Sequence, residues 1–202
     1  MAAPTYSAGT PGNVFNNVPL AAGGSKNVAA LVDLTTVVGG ALHCKMLTGA
    51  TPPTQATTFR CFRVYAATAA APSAMLSGTA TAGTTSLPVN SSAGVSSGQQ
   101  IAIVTAAGLV GEIVTVTSVS GTTLTLSAGT INAYSTGDLV FLVEQTASGG
   151  TIAPGGSWVA NAVYSTSIYP PAAWLWIVQA VNADTAQSVT VSATVDKNPS
   201  FQ

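Results

Sequence analysis

The sequence predicts an all-β protein: a β-sandwich of jelly-roll-like type, interrupted by an inserted small β-barrel or sandwich module and preceded by an extended N-terminal arm. Three observations lead there. Apolar runs such as Ile101-Ala102-Ile103-Val104, and alternating ones such as Val189-Thr190-Val191-Ser192-Ala193-Thr194-Val195, fit a pleated, half-buried surface. Turn-forming groups such as Gly39-Gly40, Pro52-Pro53, Pro170-Pro171 and Asn182-Ala183-Asp184 separate the runs. Between residues 77 and 145 short strands and tight turns follow one another in a self-contained series, set between flanks of different character.

Residues 1–27 contain Pro4, Pro11, Pro19 and Gly23-Gly24 with no sustained period, and read as the arm. It carries Tyr6, Val14, Phe15, Val18 and Leu20, apolar groups that gain by packing on something, and these five are the candidate partner-binding residues. Strands are expected over 28–34, broken at Gly39-Gly40, and over 41–47 and 59–65 around a loop centred on Pro52-Pro53. Paired as a hairpin about that centre, the last two would set Cys44 opposite Cys61. Two small buried thiols are the expectation there: Met1-Ala2-Ala3-Pro4-Thr5-Tyr6 has no basic region or following apolar run of a secretory signal, and the cytoplasmic synthesis expected from that disfavours a disulfide.

Residues 66–74, Ala-rich with Pro72, form a connector. Strands then follow over 84–89, 99–104, 111–119, 122–127 and 138–144, with a tight turn at Gly121. Gly149-Gly150 and Gly155-Gly156 read as turn glycines, and 159–168, 174–181 and 188–195 as three further strands. The economical organisation joins 28–76 and 146–202 in one discontinuous sandwich, with 77–145 inserted in a loop. Exposed loops tolerate such insertions, so excising 77–145 is expected to leave a folded remainder.

Composition narrows the function classes. Five Lys or Arg and six Asp or Glu make the chain only 5% charged, so its surface is built from Ser, Thr, Asn, Gln, Gly and backbone. Such a surface resists association weakly. The charges divide: Lys26, Lys45, Arg60 and Arg63 against Asp33 in residues 1–63, Lys197 against Glu112, Asp138, Glu144, Asp184 and Asp196 in the rest. No basic patch of the density that phosphate neutralisation needs is present, and nucleic acid is not an expected partner. The purely apolar stretches run to about seven residues where a spanning helix needs about 20, and no membrane role is expected.

Chemistry finds little to stand on. His43 is the single histidine, with Asp33 the nearest carboxylate in sequence and no Gly-x-Ser-x-Gly elbow, and it reads as structural. Two cysteines and one histidine fall short of a metal shell. Glu112, Asp138 and Glu144 could in principle supply paired carboxylates, but each sits on a separate segment. Neither catalysis nor a cofactor is therefore expected. The aromatic group Trp158, Tyr164, Tyr169, Trp174 and Trp176 reads either as sandwich core or as an exposed platform for carbohydrate or protein.

A resemblance adds to this reading. The series Thr84-Thr85-Ser86-Leu87-Pro88-Val89, Ala93-Gly94-Val95, Gly98-Gln99, Glu112-Ile113-Val114-Thr115-Val116, Ser120-Gly121-Thr122-Thr123-Leu124-Thr125-Leu126 and Gly137-Asp138 resembles a small β-module of phage virion and bacterial surface proteins. The remainder resembles virion structural proteins of tailed phages, capsid decoration or cement proteins above all, in size, low charge, β content and apolar arm. That resemblance implies a subunit on the capsid exterior, assembled in the host cytoplasm, whose partners are the major capsid protein and copies of itself in a homotrimer. A tail, neck or fibre component, or an adhesin for a host surface glycan, is the alternative it leaves open.

Overall fold

A computed structural model describes residues 12–23, 26–34, 37–48, 50–65, 72–107, 110–152, 163–168 and 174–199. Among these residues the chain forms strands and no helix: β1 (Gly12–Leu20), β2 (Lys26–Leu34), β3 (Val37–Thr48), β4 (Thr57–Val64), β5 (Ala74–Met75), β6 (Ser86–Pro88), β7 (Gln100–Val104), β8 (Val110–Ser120), β9 (Thr123–Leu126), β10 (Leu139–Ile152), β11 (Val163–Ile168), β12 (Trp174–Asn182) and β13 (Val189–Pro199). The protein is all-β.

Two sheets make the sandwich. One runs β1-β13-β3-β11, and the facing one contains β2-β12-β4-β10, with every pairing antiparallel. Leaving out β5 to β9, the first strand lies beside the last and the second beside the last but one, which is the double Greek-key order of a jelly roll. Alternation along β3 and β13 explains the layer: Leu42, Cys44 and Met46, and Val191, Ala193 and Val195, point inward against Phe59, Trp176 and Val178 of the other sheet. The polar residues between them, His43, Ser192 and Thr194, are half-buried on the outer face.

The inserted strands leave after Val64 and return at Val143, which are register partners in the β4–β10 pair. They enclose a core of their own around Leu76, Leu87, Ile101, Ile103, Leu124 and Val140. They also do something the sequence did not announce. β10 pairs with β7, β7 with β8, and β8 returns to β2 through Ala29↔Gly111 and Ala30↔Val110. Since β2, β12, β4 and β10 are already neighbours, six strands close into a ring. Its interior is a third core in which Ala29, Phe62, Val64, Leu175 and Ile177 of the sandwich meet Ala102, Val104, Ile113, Phe141 and Val143. The run Ile101–Val104 is thereby buried on both faces, alternate residues pointing into the inserted core and into the ring.

Several expectations change. Residues 12–20 of the arm form an edge strand on β13, with register shifts flanking Phe15 and a positive φ of 51° at Asn17. Gly39 and Gly40 lie inside β3, paired with Asn198 and Lys197. Gly149-Gly150 is no turn: it lies inside β10, where a register shift between Ser148 and Gly150 marks a bulge. The segments 41–47 and 59–65 make no hairpin, because β3 and β4 belong to opposite sheets. Gly155-Gly156, Trp158 and Tyr169 lie outside the described residues, as do the side chains of Tyr164 and Trp174.

Candidate functional site

The seam of the ring, where β8 meets β2, opens on a cleft of about 590 Å³. Residues 18–21 at the end of β1 form one wall, Asn27 and Val28 the floor, Thr105 and Gly111 the back, and residues 131–134 the opposite wall. Among the described lining residues none carries a charge. The pinch at Gly111 is backbone against backbone: a Cβ there would lie 1.8 Å from the Ile103 carbonyl oxygen, so only glycine lets β8 come this close to β7.

A buried carboxylate holds the 131–134 wall in place. Glu112, on β8 and 1% exposed, accepts hydrogen bonds at Oε1 from the backbone amides of Ile131 (2.9 Å) and Asn132 (3.0 Å) and from the Tyr134 hydroxyl (3.0 Å). Burial, reinforced by the Glu112 charge, pushes the Tyr134 phenol well above its ordinary range, so it stays protonated and donates. On the floor, Asn27 Oδ1 accepts from the Ile113 amide (3.2 Å) and from Gln179 Nε2 (3.0 Å), tying β2 to β8 and β12.

Of the five predicted partner-binding residues, Val18 and Leu20 come together on the cleft wall. Phe15 (2% exposed) and Leu20 (4%) are buried in the chain's own sandwich core, and Val14 and Val18 pack partly against it. Tyr6 lies outside the described residues. The 131–134 wall was not foreseen from sequence; the signal for it was a lone Glu112 in the otherwise uncharged run Val110–Val119.

The candidate chemical groups are engaged elsewhere. Asp138 accepts from the amides of Ala106 (3.0 Å) and Ser135 (2.8 Å), and Glu144 accepts from the Tyr65 hydroxyl at 2.5 Å. His43 Nε2 lies 2.9 Å from Asp196 Oδ2 on the outer sandwich face, a carboxylate neighbour supplied by β13. Cys44 and Cys61 are free and buried within the sandwich core, one from each sheet. Burial pushes the Cys61 thiol up to about 12 and the Cys44 thiol higher still, with Cys61 adding to the effect on Cys44. Both are held as unreactive thiols.

A second polar knot lies at the same end of the sandwich. Asp184, fully buried, accepts at Oδ2 from the Thr54 amide (2.5 Å), the Thr54 hydroxyl (2.9 Å) and the Gln55 amide (3.0 Å). At Oδ1 it accepts from the amides of Ala186 (2.8 Å) and Gln187 (2.7 Å), which hold its carboxyl well below the usual carboxylate range. Asn182 Nδ2 donates to the carbonyls of Ala21 (3.2 Å) and Gln187 (2.9 Å), so the end of β1 is fastened beside the cleft. Among the described residues no group of three His, Cys, Asp or Glu could hold a metal ion, and no helix is long and apolar enough to cross a membrane. Comparison with family models, with curated proteins and with solved structures found no match to this chain.

Proposed function

We propose that this protein is a non-enzymatic structural subunit of a tailed-phage virion, bound to the capsid exterior as a decoration or cement protein and assembled from copies of itself. The observation that carries the reading is the nearly uncharged surface of a jelly roll whose described buried carboxylates each accept hydrogen bonds that fasten loops. Groups used in this way hold shape, as a structural subunit needs. A cement subunit acts by bridging neighbouring capsomers, adding about 25 cal/mol for each Å² of apolar area buried at the seams, and small contacts repeated around a shell sum to a large effect.

One observation favours the adhesin alternative. Tyr65 is 49% exposed, its hydroxyl bonded to Glu144 and its ring 5.5 Å from the Arg63 guanidinium, an aromatic with polar groups beside it of the kind sugars stack on. Co-sedimentation with assembled, undecorated capsids, and in parallel with host cell envelope, separates the two. Saturable binding to capsids at fixed stoichiometry is expected, and binding to envelope alone would transfer the role to host recognition and make Tyr65→Ala the next variant.

A further inference from the structure

We propose that one mouth of the six-strand ring binds a saccharide. The inference is independent of capsid attachment, and it gives the glycan alternative a site other than Tyr65. Three observations argue for it.

The first is a change of character along the inward positions of the ring. Towards one end, the last apolar inward residues are Ala29 on β2, Ile177 on β12, Phe62 on β4, Val143 on β10, Ala102 on β7 and Ile113 on β8, all buried in the third core. Two residues beyond each, at the next inward position, stand Asn27, Gln179, Arg60, Gln145, Gln100 and Thr115. The strands alternate in direction, so all six steps lead to the same end. Register agrees: Gln179 pairs with Arg60, Gln145 with Phe62, and Gln100 with both Val143 and Thr115. Every strand of the ring thus adds one polar side chain to one rim.

The second is a buried acceptor without a donor. Gln179 is 4% exposed, and its Oε1 has no hydrogen-bond partner. The orientation of that amide is dictated by the backbone. The Ile113 N–H donates to Asn27 Oδ1 (3.2 Å), so Gln179 must present Nε2 to the same oxygen (3.0 Å) and turn Oε1 away from it. Leaving such an oxygen unmet is costly, and a ligand hydroxyl donating to it relieves the cost. Arg60, the register partner of Gln179, makes no ion pair among the described residues.

The third is the chemistry of the rim. Four of its six groups are carboxamides, beside one hydroxyl and one guanidinium. A carboxamide offers a donor and an acceptor side by side, the complement of two vicinal hydroxyls. An apolar ligand would leave these groups unpaired, a cation would find no carboxylate among the six, and a polyanion would find one positive charge. A neutral or singly acidic sugar ring matches the set, with Arg60 taking a hydroxyl or a carboxylate. Barrel mouths with a few convergent polar groups over an apolar interior are common binding sites.

The experiment is saturation-transfer NMR on the full chain with the methyl glycosides of glucose, galactose, N-acetylglucosamine and glucuronic acid, followed by the side-chain amide signals in a nitrogen-correlated spectrum. At least one glycoside is expected to receive saturation and to shift the NH₂ signals of Gln179 and Gln100 together. Gln100→Ala and Arg60→Ala should each weaken binding about 3–10-fold, the worth of one hydrogen bond, and Tyr65→Ala should leave it unchanged. Gln179→Leu should abolish it; where that variant fails to fold, Gln100→Ala carries the test, because Gln100 takes no part in the Asn27 clamp. No transfer to any of the four glycosides overturns the proposal, as does binding that Tyr65→Ala removes and Gln100→Ala spares. Gln100→Ala is expected to co-sediment with capsids as the original chain does, so loss of sugar binding and loss of capsid binding are read separately.

Discussion

Glu112 and Asp184 show how the few charges of this chain are spent: each buried carboxylate gathers backbone N–H groups from a loop that has no sheet partner. Glu112→Gln replaces one accepting oxygen with a donating NH₂ facing amides that already donate. It is expected to cost about 1–3 kcal/mol in urea unfolding, with loosening of residues 131–134 seen as faster amide exchange. Asp184 gives a pH signature. Its folded carboxyl is held below the ordinary value of 3.8, so as pH falls the unfolded chain takes up its proton first. The stabilisation is complete above that ordinary value and drains away as pH falls below it towards the folded value. Urea midpoints measured from pH 6 to pH 2 should decline over that acid range, and Asp184→Asn should flatten the decline while lowering the midpoint at pH 6.

Closure of the ring depends on how β8 sits between β7 and β2. Gly111→Ala puts a methyl group into the Ile103 and Val104 backbone, and the strands must part to admit it. A loss of about 1–3 kcal/mol is expected, with ring amides such as Ala29 and Ala30 exchanging faster than those of β3 and β13. The jelly-roll-like sandwich, the extent of most strands and the turn at Gly121 were legible in the residues, since burial on one face leaves a period of two. Pairing was less so: alternation in 41–47 and 59–65 says which side chains go inward, but the same pattern serves a hairpin and two facing sheets. β1 hid because its bulges and Pro19 interrupt the alternation, and Gly149-Gly150 resembled a turn because a bulge inside β10 uses the same residues. At the cleft, Val18 and Leu20 were visible as apolar residues, while Glu112 could be seen only as an isolated charge. Its partners at 131–134 lie 19 to 22 residues away, and no local rule connects them.

Across the whole molecule the ring makes the sandwich and the inserted strands share one interior. The expectation that 77–145 can be removed therefore meets a physical obstacle. Excision takes β7, β8 and the first half of β10, and uncovers Phe62, Val64, Leu175 and Ile177. At about 1.5–3 kcal/mol for each large apolar side chain, the exposure rivals the 5–15 kcal/mol that holds a typical domain folded. The shortened chain should bind a hydrophobic dye and lack a cooperative thermal transition; a transition near that of the full chain would show the ring to be dispensable. Closure also bears on how strand edges are kept from pairing between molecules. Most soluble proteins keep apart by electrostatic repulsion, which a chain with a net charge of −1 scarcely has. Uncharged strands with vacant amides and carbonyls are where such chains nucleate fibrils. In the ring every strand has a neighbour on each side, although β2 meets β8 over only two register pairs among the described residues, Ala29↔Gly111 and Ala30↔Val110. On β1, at the margin of the other sheet, bulges and Pro19 spoil the template. Ring closure and a bulged margin strand thus shield strand edges that the few charges of this chain do not protect.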